Sequence, residues 1–121
     1  MGARDDARSH LRKAREFLDA AVLELHTAAA SSAVLAGINA KDAICLQLSG
    51  RTGKSEDRRS GVPELVAAGP AGKALESTFR RLLGLKTAAQ YQAGPIGRTD
   101  ATKAVAWATR MVDTARDVTG S

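Results

Sequence analysis

Ala101, Ala104, Val105, Ala108, Met111, Val112 and Ala115 recur at steps of three and four. That spacing lines up on one side of a 3.6-residue helix, and a strand would scatter it over both faces. It predicts a final helix opening at Thr99 or Asp100, residues suited to capping. Trp107 falls off this stripe by register and reads as a second contact or an interface anchor. Leu11, Ala14, Leu18, Ala21, Val22 and Leu25 repeat the pattern, predicting a first helix over about residues 5–28. Asp5 and Asp6 suit its positively polarised start. Arg8, Arg12, Arg15, Glu16 and Asp19 lie largely off its apolar stripe.

Ser31 and Ser32 read as the N-cap of a second helix ending near Ser49-Gly50. Val34, Leu35, Ile38, Ile44, Cys45 and Leu48 give it a wide apolar arc, so it should be the most buried helix. Asn39 and Lys41-Asp42 interrupt that arc and must find partners if buried. Gly37 costs about 1 kcal/mol of helix propensity against alanine. A close crossing with the first helix is the expected return. Val62–Ala68 predicts a short helix with Pro63 in its first turn, ended by Gly69-Pro70. Residues 71–91 predict a fourth long helix, with Ala74, Leu75, Phe79, Leu82, Leu83 and Leu85 inward and Gly84 a place to bend or divide. Gln92–Gly97 reads as a turn.

With aromatics at only 3% of 121 residues, the core must be built from Ala, Leu, Val and Ile. The reading is an all-α, single-domain, up-and-down bundle of four main helices plus one short one. The single cysteine, Cys45, excludes an internal disulfide and reads as a small buried apolar residue. No apolar run approaches the ~20 residues of a membrane span. The charged start, Met1 to Asp6, does not read as a signal peptide, so the expectation is a cytoplasmic protein without membrane contact.

Formal charge is +5 with a pI near 9.9. This excess is compatible with nucleic acid as partner and equally with an ordinary charged surface. Gly53-Lys54-Ser55 has the form of a P-loop tail, but Leu48 stands where that loop needs glycine, and a helix precedes it instead of a strand. Residues 48–61 therefore read as a solvated loop, and ATP or GTP hydrolysis is not expected. His26 reads as a partner for the last carbonyls of the first helix. Asp19 and Glu24 lack the neighbouring histidines of a carboxylate metal site. No metal or other cofactor is expected. Arg80, Arg81, Lys86 and Arg98, joined by Arg58 and Arg59 from the loop, are the candidate phosphate-binding set.

The order of these features resembles the HEPN superfamily. The phrases that carry the resemblance are Ala33–Leu46 (AVLAGINAKDAICL), the polar loop with Gly50 and Ser55, Leu82–Tyr91 (LLGLKTAAQY), a Gly-Pro turn, and Asp100–Val105 opening the final helix. The resemblance implies a bundle of four or five helices, frequently a homodimer. Many members are metal-independent ribonucleases of toxin–antitoxin and defence systems; others bind nucleotides or act as non-catalytic partners. An antitoxin of the nucleotidyltransferase kind would be one cognate protein.

Active members carry Arg-x(4–6)-His near the start of a late helix, and here no histidine follows His26. Lys86-x4-Tyr91 is the nearest counterpart. Tyrosine, with a reference pKa of ~10, is a poor base for a 2′-hydroxyl proton. Arg4 and His10 satisfy Arg-x5-His, but in the first helix, where both are expected to be solvated surface residues. The expectation is a non-catalytic HEPN-like binding or assembly module with weak nucleic-acid or nucleotide binding. A ribonuclease with a degenerate site, or an unrelated helical subunit of a larger complex, are the alternatives.

Overall fold

A computed structural model of the chain describes residues 2–23, 26–50, 61–91 and 96–120. All of its elements are helices: α1 (Ala3–Leu23), α2 (His26–Ser49), α3 (Gly61–Ala67), α4 (Pro70–Lys73), α5 (Glu76–Tyr91) and α6 (Arg98–Thr119). The expected all-α bundle is present, with four long helices and two short ones.

The first two helices differ in extent from their sequence reading. α1 stops at Leu23, and α2 already begins at His26. Ser31 and Ser32 lie inside α2 and do not cap it. Alanine decides this: Ala29, Ala30 and Ala33 are buried, so tertiary packing and high helix propensity together extend the helix through the serines. His26 is exposed and opens α2 instead of closing α1.

α2 is the centre of the molecule, packed most extensively on α1 and α6. Ala33, Val34, Ala36, Ile38, Ala40, Ala43, Ile44 and Cys45 are all buried and span about 220° of its circumference, the wide apolar arc that the sequence predicts. Leu35 and Leu48, expected inward, are the exceptions, 39% and 42% exposed.

Gly37 lies at a close crossing, but not with α1. A Cβ there would stand 2.2 Å from Leu82 Cδ2 on α5 and 3.5 Å from Met111 Sδ on α6. Gly37→Leu should overpack this three-helix contact and cost about 2–3 kcal/mol. For Gly37→Ala, displacement of Leu82 should be partly offset by helix propensity, leaving about 1 kcal/mol. Urea denaturation midpoints check both, and an unchanged leucine variant would show that the crossing is loose.

The expected fourth helix is two pieces. Leu75 N–H bonds to Gly72 O at 3.0 Å, a tight turn that separates α4 from α5. Leu75 is buried at this corner. Gly69, with φ at 142°, adopts a backbone that side-chain-bearing residues avoid, and Pro70 then starts α4. Gly84 does not divide α5; it is exposed with nothing near its missing Cβ.

α6 starts one residue before the predicted caps, with Gly97 extended in the cap position and no side-chain cap. Ala101 N–H closes the first turn onto Gly97 O at 3.1 Å. Ala101, Ala104, Ala108, Met111, Val112 and Ala115 are buried as the stripe predicts. Val105 and Trp107 pack partly buried against the core.

Candidate functional site

The three polar residues that interrupt α2 meet partners from two other helices. Asn39 Nδ2 donates to Leu35 O at 2.9 Å. That fixes the amide, so its Oδ1 faces outward along the helix as an acceptor. His10 of α1 brings Nδ1 to this oxygen at 3.0 Å. Since Oδ1 can only accept, His10 Nδ1 carries the proton and donates, which leaves Nε2 with the lone pair in the neutral ring. Asp42 Oδ2 is 3.9 Å from the same nitrogen.

Asp42 also holds Lys41, whose Nζ lies 2.6 Å from Asp42 Oδ1 and 3.6 Å from Glu64 Oε2 of α3. Lys41 is only 6% exposed. An ammonium that far from water requires opposite charge beside it, and two carboxylates provide it. Gly61, at the start of α3, makes room: a Cβ there would stand 3.0 Å from Lys41 Cε. His10, Asn39, Lys41, Asp42 and Glu64 therefore form one chain of polar contacts joining α1, α2 and α3.

Cys45 lies one turn beyond Lys41 and is buried. Burial pushes its thiol up to about 11; Lys41 opposes this, and Asp42 and Glu64 add to it. At neutral pH it is a thiol, neither nucleophile nor metal ligand. Among the described residues no three His, Cys, Asp or Glu side chains converge as a metal site, and no buried side-chain nitrogen or oxygen lacks a partner.

The phosphate-binding candidates are dispersed. Arg80 and Arg81 are exposed on α5, and Arg80 is engaged by Glu76 at 3.0 Å. Lys86 is half-buried and about 120° round α5 from Arg80. Arg98 is exposed at the start of α6. The helix register does not bring Arg80, Arg81 and Lys86 onto one face. Tyr91 is the last residue of α5, and its side chain lies outside the described set, as do Arg58, Arg59 and the Gly53-Lys54-Ser55 loop.

The Arg4–His10 pair also needs correction. Arg4 is exposed, but His10 is part-buried and bonded across helices. Six residues apart, the two point about 120° away from each other round α1, so they form no common site. The residue pattern announced that Asn39, Lys41 and Asp42 need partners; that His10 and Glu64 supply them depended on how α1 and α3 pack. No described helix is long and apolar enough to cross a membrane. No family model, curated protein or solved structure matches the chain.

Proposed function

We propose that the protein is a non-catalytic, HEPN-like binding and assembly module of the cytoplasm, with weak, electrostatic affinity for nucleic acid. One observation carries this reading. His10, Lys41, Asp42, Glu64 and Cys45, the acid–base and nucleophilic side chains that the fold brings together, are engaged with one another or buried in the core, while exposed helix positions carry arginines. A closed network of this kind locks three helices together; a substrate would have to displace its members. Arg80, Arg81, Lys86 and Arg98 are placed to add long-range attraction for phosphates without a shaped pocket. A two-fold homodimer, possession of a cognate antitoxin-like partner and a place in a defence system belong to the same reading and rest on the HEPN resemblance.

The oriented His10 favours a second reading, a metal-independent ribonuclease. Its Nδ1–H is held by Asn39 with Asp42 nearby, and this leaves Nε2 as a base. A fluorescent single-stranded RNA incubated with the protein and a chelator separates the two. The expected result is no cleavage above background, with binding that weakens as salt rises. Cleavage lost in His10→Ala, or in a Lys86→Ala/Tyr91→Phe variant, would overturn the non-catalytic reading in favour of an enzyme. Light scattering on the same samples should give twice the 12.6 kDa chain mass.

A further inference from the structure

We propose that α1 carries a row of arginines, Arg4, Arg8 and Arg12, that binds the phosphodiester backbone of a single nucleic-acid strand. The proposal rests on the binding-module reading above and names the surface that does the binding. Positions four apart on a helix advance about 6 Å along the axis and about 40° round it. The three guanidiniums therefore follow one shallow line about 12 Å long, and Arg15 falls within the same arc. All four residues are exposed. The row runs beside the buried stripe of Ala7, Leu11 and Ala14. His10 and its network lie on the other flank of that stripe.

Arg4, Arg8 and Arg12 make no ion pair or side-chain hydrogen bond among the described residues. Arg80, by contrast, is engaged by Glu76. Like charges at i and i+4 repel, and Arg4 stands in the first turn, where the helix dipole disfavours a cation. Asp5 and Glu16 border the row by register, so it has a definite width. The arrangement is unfavourable for the free helix and becomes favourable when evenly spaced anions neutralise it.

A nucleic-acid strand is the occupant that fits. It presents one phosphate per nucleotide in regular succession, so a row of guanidiniums about 12 Å long can follow several of them. Guanidiniums bind phosphate oxygens in bidentate fashion. A protein partner would need an apolar centre to dock on. The exposed large hydrophobics among the described residues are Leu35 and Leu48, both on α2 and neither on α1. A lipid surface would likewise want apolar insertion beside the cations.

The test measures fluorescence anisotropy of a labelled 20-nucleotide single-stranded RNA between 25 and 200 mM KCl. It compares wild type, Arg4→Gln/Arg8→Gln/Arg12→Gln, and Arg80→Gln/Arg81→Gln/Arg98→Gln. Glutamine keeps helix propensity close to that of arginine, so α1 should persist, as circular dichroism and melting will show. The α1 variant should bind at least tenfold more weakly at 50 mM KCl. Its slope of log affinity against log salt should fall by about 2, three contacts at about 0.7 each. Its melting temperature should be unchanged or higher, since repulsion is removed. The second variant should keep more of the affinity.

An α1 variant that binds as wild type does, beside a weakened second variant, overturns the row and keeps the binding module. Equal losses in both variants also overturn it, since net charge alone would then explain binding. Displacement of the RNA by polyglutamate at equal charge, or tighter binding to phosphatidylserine vesicles than to RNA, overturns the choice of nucleic acid. A wild type that does not bind at 50 mM KCl overturns the row and the nucleic-acid part of the proposed function together.

Discussion

Gly72→Ala should lower the stability of the protein by about 3–4 kcal/mol, more than a single added methyl group usually costs. A Cβ at Gly72 would stand 2.0 Å from Leu65 O and 3.0 Å from Leu65 C. Those are backbone atoms of α3, so no rotamer change can relieve the clash, and α4 must move off α3. Leu65 and Leu75, fully or nearly fully buried at this corner, would lose packing with it. Gly84→Ala is the control. It puts the same methyl into open space inside α5 and should stabilise by about 0.5–1 kcal/mol through helix propensity. Urea denaturation of the two variants should give shifts of opposite sign. A Gly72→Ala midpoint at or above wild type would mean that the α3–α4 contact is not held as described.

The second large effect is expected at the interior ion pair. Asp42→Ala removes the carboxylate 2.6 Å from Lys41 Nζ and leaves a buried ammonium facing Glu64 at 3.6 Å. Breaking a buried pair from one side costs about 3–5 kcal/mol, and the surviving Glu64 argues for the lower end, about 3 kcal/mol. Lys41→Met should cost less. It removes the most deeply buried charge, and Glu64, 31% exposed, stays in reach of water. The double variant should then cost less than the sum of the two, with a coupling of about 1–2 kcal/mol. Additive effects in that cycle would show that Lys41 and Asp42 do not depend on each other. Asp42→Ala should also change the surroundings of His10, seen as a shift of its imidazole NMR resonances, because Asp42 Oδ2 lies 3.9 Å from the ring nitrogen that Asn39 bonds.

The second prediction lies on a feature the residue pattern only half disclosed. That polar residues in the middle of α2 needed partners was legible, because an ammonium or amide on a helix apolar over so wide an arc cannot be left unmatched if it is buried. Which side chains would answer was not. His10 lies 29 positions away on α1, and nothing in its local surroundings marks it as different from a solvated histidine. Likewise Gly37 announced a close approach, but the neighbour is Leu82 of α5 instead of α1, a matter of how helices distant in the chain cross. Gly72 announced nothing, since a glycine after Gly-Pro reads as part of the turn.

What the sequence by itself determined is the class of fold and the inward face of most helices. A 3.6-residue period survives any arrangement of neighbours, because it is a property of one helix meeting one core, and the stripe of α6 was read position by position. Only the tertiary structure decided where α1 ends and α2 begins, because the burial of Ala29, Ala30 and Ala33 outweighs the capping preference of Ser31 and Ser32. It decided that residues 71–91 break at Ala74-Leu75, where a buried leucine turns the chain. It also decided which polar groups meet. Hydrogen bonds and ion pairs act over a few ångströms between residues brought close by packing, and linear spacing carries no record of that closeness.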